Sequence, residues 1–549
     1  MDGPESLRLT RRSTAIIAVF GFSMFLVDFG PGWALTYHEA FFAVPAREML
    51  RTGDWIVPRV VGVAAWQKPP LTHWMIAATM GLLRTEAEWA VRLPTLICTI
   101  LNAILVGALA ARWHGDRIGR LAGLIQLTMF YVLFQGRLAE CDMPLCAAVS
   151  GAMLALAVGT IDRERCGWGL RLAFFTLAGA ASLIKGPFGM ALIGGAAGLY
   201  ALIERRWSVW RFLLDPLGWV VMLALALIWP ILAYRADPSI LEALRVHNLD
   251  RFSGTYDGSK DPFFYAYIIP SILLPWTPVA IGGFIALLRD PSRPKALWRL
   301  MLCWLIVGMA ILSASSWKHK HYPIPVLPPL SIAAAYGLDR YLRFARREGI
   351  SPASIGAIMM MIGGGVTSSL FLTRGNALNA TIASFLILSG AGLLLTSRLF
   401  RAGRIDASLA SLFGTVWLVV VLNQSFVMPH FDLYRKSSVL ARNTNARVSP
   451  ETVIYQVGVP NPQISFYLRW PMRRFDETPA FYDEAQKGRI NGSFTVVGPQ
   501  RIVQDLSEAG NVEIFETADA KYGMTSMSFR PDRSRIAAKL EANTGAIRR

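Results

Sequence analysis

Charge is scarce in this 549-residue chain: Asp, Glu, Lys and Arg together make up only 17% of it, against 53% hydrophobic residues. With a mean hydropathy of +0.40, that balance excludes a set of ordinary soluble cores. Cysteine is rarer still. The five present, Cys98, Cys141, Cys146, Cys166 and Cys303, all precede residue 429, so the last stretch of chain holds neither a disulfide framework nor a Cys-based zinc site. That stretch also lacks a phosphate-cradling glycine loop, a histidine-rich cluster and a nucleophile elbow. No nucleotide-binding fingerprint occurs anywhere.

What is abundant is apolar sequence in separated runs. Crossing the hydrocarbon of a bilayer takes about 20 helical residues. Runs of suitable length lie near 13–29, 92–111, 120–136, 143–161, 170–184, 187–204, 216–233, 264–288, 297–314, 322–341, 353–372, 379–397 and 407–428. The chain is therefore expected to be a polytopic α-helical membrane protein with about thirteen crossings. Leu71–Leu83 is shorter, holds His73 and is bounded by Pro69, Pro70 and Arg84, as befits an interfacial helix.

Arginine and lysine mark the cytoplasmic side of such a protein. The clusters at Arg8, Arg112, Arg163, Arg205, Arg289, Arg340 and Arg398 fall two crossings apart when Leu71–Leu83 is not counted as a crossing. This puts the N-terminus in the cytoplasm and the residues after 428 outside. The net charge of +18 is then explained by loops facing anionic lipid, with no nucleic acid needed. The first apolar run has no small-residue cleavage site after it and reads as a retained helix.

Residues 1–428 thus form the membrane part, with long outer loops at 30–92 and 235–263, and 429–549 form a small outer α/β domain of strand-length runs and helical patterns. In the first loop, Phe41, Phe42, Val44, Met49 and Leu50 make an apolar stripe with Arg47, Glu48 and Arg51 opposite, a helix suited to the membrane surface. The outer loops and turns gather His38, Glu39, Lys68, Glu140, Asp142, Lys185, His247, Arg251, Asp261, and the run Lys318, His319, Lys320, His321 followed by Tyr322. Charges at the edge of hydrocarbon are costly and usually line a cavity. Some have a plainer reading: Glu39 and Asp142 as helix-start residues, and Lys185 as a snorkelling lysine. Mixed carboxylates and cations suit sugar transfer from a lipid phosphate, the cations holding the leaving phosphate and a carboxylate or His taking a proton. Polar groups at a membrane edge also line transport paths, but the chain shows no internal repeat of the kind that many transporters carry.

The segments HEAFFAVPAREMLRTGDWIVPRVVG (38–62), QKPPLTHW (67–74), EWAVRLPT (88–95), CDMPL (141–145), LIKGP (183–187), HNLDRFSG (247–254) and HKHYPIPVLPPL (319–330), in this order, carry a resemblance. They resemble polyprenyl-phosphate-sugar-dependent glycosyltransferases of the GT-C fold, a superfamily that includes protein O-mannosyltransferases and, closer here, bacterial 4-amino-4-deoxy-L-arabinose lipid A transferases. The resemblance implies an inverting enzyme of the bacterial inner membrane. An undecaprenyl-phosphate-type donor would pass its sugar to a lipid A-like or other envelope acceptor or, alternatively, to protein Ser or Thr. It makes Glu39 the second acid of an Asp-Glu pair and Asp142 the acid of the second outer turn. Lys68, Lys185, Arg251 and Tyr322 fall on donor-site positions, with Glu140, His247 and Lys320 as further candidates. His38 stands where the family has its first acid and His247 where it has a Glu. The base is then His38, Glu39 or Asp142, or none is needed for a phosphate acceptor. No cofactor is implied beyond the lipid-linked donor, although the two histidines at altered positions could hold a divalent metal.

Overall fold

The computed structural model describes residues 8–27, 29–30, 33–161, 167–253, 260–291, 294–348, 376–427, 435–458, 461–469, 471–487, 489, 494–499, 501–518 and 524–547. The chain folds as two compact units, one made of Met1–Phe29, Trp66–Thr72 and Arg92–His430, the other of Gly30–Ala65, His73–Val91 and Phe431–Arg549.

The first unit is helical. Among the described residues six helices are long and apolar enough to cross a membrane: Glu88–His114, Asp142–Ile161, Pro187–Glu204, Pro216–Ala236, Lys295–Ala314 and Ile405–Ser425. The pair Phe264–Ile272 and Thr277–Arg289, which bends by 107° at its break, makes a seventh when counted as one span. For two of the thirteen expected runs the difference has a local cause. The run at 120–136 is divided at Met129 into the helices Asp116–Thr128 and Phe130–Gln135. Prolines hold the run at 322–341 out of α-helix until Pro328, where the helix Pro328–Glu348 begins. The run at 353–372 lies outside the described residues.

Helix starts follow from the sequence. Asp215 caps Pro216–Ala236 by accepting from the Gly218 amide at 3.0 Å, with Pro216 in the first turn. Arg171 donates to the other oxygen of Asp215 at 2.8 Å and ties this start to the helix Trp168–Lys185. Small residues set the closest crossing. A Cβ on Gly283 would stand 1.8 Å from the Ala333 carbonyl oxygen, and one on Gly337 would stand 2.4 Å from that of Val279. Backbones therefore meet where Thr277–Arg289 crosses Pro328–Glu348, which only glycine permits.

The second unit contains the amphipathic helix Tyr37–Thr52, a short hairpin of β1 (Arg59–Val60) and β2 (Val63–Ala64), and an α/β layer. Its sheet comprises β3 (Ile454–Val457), β4 (Met472–Phe475), β5 (Phe494–Pro499), β6 (Gly510–Ala518) and β7 (Met524–Pro531) in the order β4-β3-β5-β7-β6. β3 runs parallel to β4 and β5, while β7 runs antiparallel to β5 and β6. Val457, Phe481, Val496, Leu506, Met527, Phe529 and Ile536 form the core beneath it. The polar tail after Asp532 forms the helix Arg533–Ile547.

The helix Tyr37–Thr52 departs from the expected pattern on one face. Arg47 and Glu48, placed opposite the apolar stripe by sequence, are each only 2% exposed, whereas Leu50 of the stripe is 39% exposed. Arg51 of the same face stays exposed, whereas Arg47 and Glu48 are buried because backbone groups of 465–466 and of 61–62 meet them.

Candidate functional site

In the first unit, the site is built on the ends of two helices. Asp142 opens Asp142–Ile161 and Lys185 closes Trp168–Lys185. An acid in a first turn and a base in a last turn both complement the helix dipole. These helices pack on each other and run in opposite directions, so the start of one meets the end of the next. Lys185 Nζ donates to Asp142 Oδ1, and both side chains are buried. The same ammonium lies 4.4 Å from the centroid of the Tyr322 ring, a cation–π contact. Gly186, at φ +74°, turns the chain directly into the proline-started helix Pro187–Glu204.

The segment after Trp317 forms the next wall. The imidazoles of His319 and His321 stack at 5.2 Å, and the Tyr322 ring stands 4.9 Å from that of His321. Lys260 Nζ donates to the Lys318 carbonyl at 2.7 Å, Lys318 Nζ donates to the Lys260 carbonyl at 3.2 Å, and Tyr265 Oη donates to the His319 carbonyl at 3.3 Å. These bonds fix the turn that carries the histidines. Burial pushes the His321 imidazole down to about 3; the Asp142 carboxylate opposes that fall, and the charges of Lys185, His319 and Lys68 add to it. Asp142 and His321 both feel the charge of half-buried Lys68. Asp142, Lys185, Tyr322, His321 and Lys68 are thus brought together.

Other expected residues sit less centrally. His247 is half-buried in the π-helical turn Arg245–Asp250. Its neighbour Asn248 donates to the Leu244 carbonyl at 2.9 Å, and its Oδ1 would meet a Cβ on Gly186 at 3.4 Å, so this turn adjoins the end of the Lys185 helix. Glu140 accepts from Gln135 Nε2 at 2.5 Å. Lys320 is exposed. Arg251 begins the short helix Arg251–Ser253, and its side chain lies outside the described residues. Among the described residues no three His, Cys, Asp or Glu side chains are grouped as metal ligands would be.

His38 and Glu39 belong to the second unit, in the first turn of Tyr37–Thr52. Thr36 and Glu39 form a reciprocal capping box: the Glu39 amide donates to Thr36 Oγ1 at 3.1 Å and the Thr36 amide donates to Glu39 Oε2 at 2.8 Å. The cap therefore exists, and it fixes a fully buried carboxylate beside an exposed His38.

Four buried polar residues of this unit were not singled out as site residues by the sequence. Arg47 donates to the carbonyls of Phe466 and Ser465, both at 2.7 Å. Glu48 accepts from the amides of Val61 at 2.5 Å and Gly62 at 3.1 Å, holding the tip of the β1–β2 hairpin, where Val61 adopts φ +51°. His73 is fully buried against the Phe42 carbonyl, and burial pushes its imidazole down to about 4. Glu88 accepts from Tyr467 Oη at 3.0 Å. The partners of Arg47 and Glu88 lie hundreds of residues away in sequence, so only the REML-GDW block and the lone His73 hinted at the group.

Chemically, buried cations beside an aromatic ring and a carboxylate suit an anion that arrives from one side. The model of the family described as dolichyl-phosphate-mannose-protein mannosyltransferase matches residues 67–234. The chain is 27% identical over 357 residues to the undecaprenyl phosphate-α-4-amino-4-deoxy-L-arabinose arabinosyl transferase 2 of Proteus mirabilis, covering 61% of each chain. The corresponding transferase of Pseudomonas savastanoi is 28% identical over 324 residues, which is 56% of this chain and 58% of that one. The crystal structure of ArnT from Cupriavidus metallidurans bound to undecaprenyl phosphate superposes with a TM-score of 0.76 at 22% identity, covering 94% of this chain and 97% of that one. The two share one fold. It is the GT-C fold of polytopic membrane glycosyltransferases, and the chain is similar to the 4-amino-4-deoxy-L-arabinose transferases among them. The chain spans about three fifths of the length of the curated relatives it matches.

Proposed function

We propose that this protein is an inverting glycosyltransferase that moves a sugar from an undecaprenyl-phosphate-type carrier to an acceptor on the outer side of the inner membrane, of the lipid A or envelope glycolipid kind. The observation that carries the reading is the buried Asp142–Lys185 pair with Lys68, His321 and Tyr322 around it, in a fold shared with a protein crystallised with undecaprenyl phosphate. In this reading the membrane part has about thirteen crossings. Its N-terminus is cytoplasmic, and residues 429–549 form a periplasmic domain.

Lys68, Lys185 and Arg251 hold the donor phosphate, with Tyr322 walling the Lys185 ammonium. The acceptor oxygen bonds to the anomeric carbon from the opposite face while the bond from that carbon to the phosphate oxygen breaks, and the electron pair leaves with undecaprenyl phosphate. The cations stabilise the charge that develops on that oxygen. A hydroxyl acceptor yields its proton to His38 or Glu39, whereas a phosphate acceptor is already ionised at neutral pH. Asp142 accepts from the Lys185 ammonium and orients it.

The test is turnover of undecaprenyl-phosphate-linked 4-amino-4-deoxy-L-arabinose with lipid A by the purified full chain, read by mass spectrometry of the product. Lys68→Ala is expected to lose about 100-fold in kcat/KM, the effect of one lost charge-stabilising donor. Turnover by Lys68→Ala at the wild-type rate overturns the phosphate clamp. One observation favours a second acceptor class: the matching family model is that of a protein mannosyltransferase. That reading expects product from a polyprenyl-phosphate mannose and a Ser/Thr peptide, and none from lipid A.

A further inference from the structure

The residue just before the Glu39 cap is held on both sides of its peptide by the C-terminal part of the chain. The Leu35 amide donates to Tyr467 Oη at 2.8 Å, and the Leu35 carbonyl accepts from Gln463 Nε2 at 2.6 Å. Both donor and acceptor come from one helix, Pro462–Tyr467, which Asn461 caps through the Gln463 and Ile464 amides. That helix is itself anchored. Ser465 Oγ donates to the buried Gln456 side chain of β3 at 3.0 Å, Arg47 clamps its last carbonyls, and Asn445 Nδ2 donates to the Tyr467 carbonyl at 2.8 Å. Tyr467 Oη donates a hydrogen bond to Glu88 Oε1 at 3.0 Å, and Arg442 pairs with the same carboxylate at 3.5 Å. A sheet in the C-terminal domain is thus linked, through a single short helix, to the backbone that carries Thr36, His38 and Glu39.

We infer that Gln463 and Tyr467 are positioning residues for the transfer reaction: the C-terminal domain sets the orientation of the His38–Glu39 turn by gripping Leu35, beyond any part it has in recognising an acceptor. This rests on the proposed role of His38 and Glu39. The Thr36 amide, which the Glu39 carboxylate accepts from, follows directly on the gripped Leu35 carbonyl, so loss of the grip releases the plane from which the first helical turn starts. Misplacing a reacting group by about 1 Å can cost on the order of 100-fold in rate.

The experiment measures kcat and KM for undecaprenyl-phosphate-linked 4-amino-4-deoxy-L-arabinose with lipid A in Tyr467→Phe, Gln463→Ala, Glu39→Gln, His38→Ala and the combination of Tyr467→Phe with each of the last two. Hydrogen exchange of the 33–40 segment reports whether the grip is lost. The expected result is a fall in kcat of about 10- to 100-fold in Tyr467→Phe and Gln463→Ala with KM for the donor within about 3-fold of wild type, because positioning acts on the transition state rather than on binding. Tyr467→Phe should cost nothing further once the residue it positions has been removed, since groups acting as one unit are not additive. Full kcat in Tyr467→Phe and Gln463→Ala, with Glu39→Gln or His38→Ala inactive, overturns the positioning role and leaves the base reading standing. Wild-type turnover in both Glu39→Gln and His38→Ala overturns the base reading and this inference together. Tyr467→Phe keeps the ring and its packing, so it remains informative if Gln463→Ala fails to fold.

Discussion

Replacing Asp142 by Asn is the sharpest probe of the buried pair. Its side chain is 2% exposed and that of Lys185 is 8% exposed, so the ammonium left behind could reach water only by distorting the ends of two packed helices. Removing one partner of a buried ion pair typically costs about 3–5 kcal/mol, because an uncompensated charge remains. The Tyr322 ring is still 4.4 Å away, but a desolvated cation–π contact is worth only about 2 kcal/mol and is already present in the wild type. The deficit therefore stands. Exchanging both residues, Asp142→Asn with Lys185→Met, removes the charge as well as its partner and should restore stability to within about 1 kcal/mol of wild type or better. The assay is reversible unfolding of the purified protein in mixed micelles, with turnover measured in parallel. Expected are a destabilised single variant, a stable double variant and strong loss of turnover in both. Undecaprenyl phosphate should also stabilise Asp142→Asn more than wild type, since an anion bound only by the folded state supplies the missing counter-charge. Equal destabilisation by the single and double variants would refute the reasoning, because the ammonium would then have been solvated all along.

Two further outcomes follow from other parts of the fold. The folded His73 imidazole lies at about 4, below the ordinary value of 6.5, so between those values the unfolded chain binds the extra proton. Its contribution is complete above pH 6.5 and is lost as pH falls from there to about 4; His73→Gln should flatten that part of the stability profile, and an unchanged slope would show that His73 is not the titrating group. Gly283→Val inserts a branched side chain where even a Cβ would stand 1.8 Å from the Ala333 carbonyl oxygen. It should destabilise the membrane part by at least about 3 kcal/mol, read by the same unfolding assay, whereas the open position Gly282 should tolerate Ala.

Apolar continuity exposed the membrane character at once, because about 20 residues without charge have few other uses. It could not show where such a run breaks. The residues around Met129 are as apolar as the helices on either side, and the 107° bend after Ile272 sits inside one uninterrupted hydrophobic stretch. The short helix Leu71–Leu83 was legible to the residue, since Pro69, Pro70 and Arg84 punctuate it. Site residues divide the same way. Asp142 and Lys185 could be read because Pro144, Gly186 and Pro187 mark them as helix ends, and ends are where a membrane helix can carry charge. Arg47 could not, because its partners at Ser465 and Phe466 lie more than 400 residues later. Periodicity correctly put it on a polar face; what it lacked was the knowledge that another segment covers that face.

The pairing of Asp142 with Lys185 is a product of chain direction as much as of residue type. Consecutive antiparallel membrane helices bring the N-terminal end of one to the C-terminal end of the next, where the partial charges of the two dipoles have opposite sign. An acid at the first and a lysine at the second are each favoured by their own helix before they meet. Their meeting then needs no long side chain to be ordered from solvent, which is what makes most surface ion pairs weak. Exchanging the two residues, Asp142→Lys with Lys185→Asp, keeps the pair and its separation but sets both charges against their helix dipoles, by roughly 1 kcal/mol at each end. The exchanged protein should be less stable than wild type though still paired, and it should lose donor turnover, because the ammonium then stands on the other helix and no longer faces Tyr322. Restored turnover in that variant would mean that only the presence of a cation matters at this helix junction, not the position from which it points.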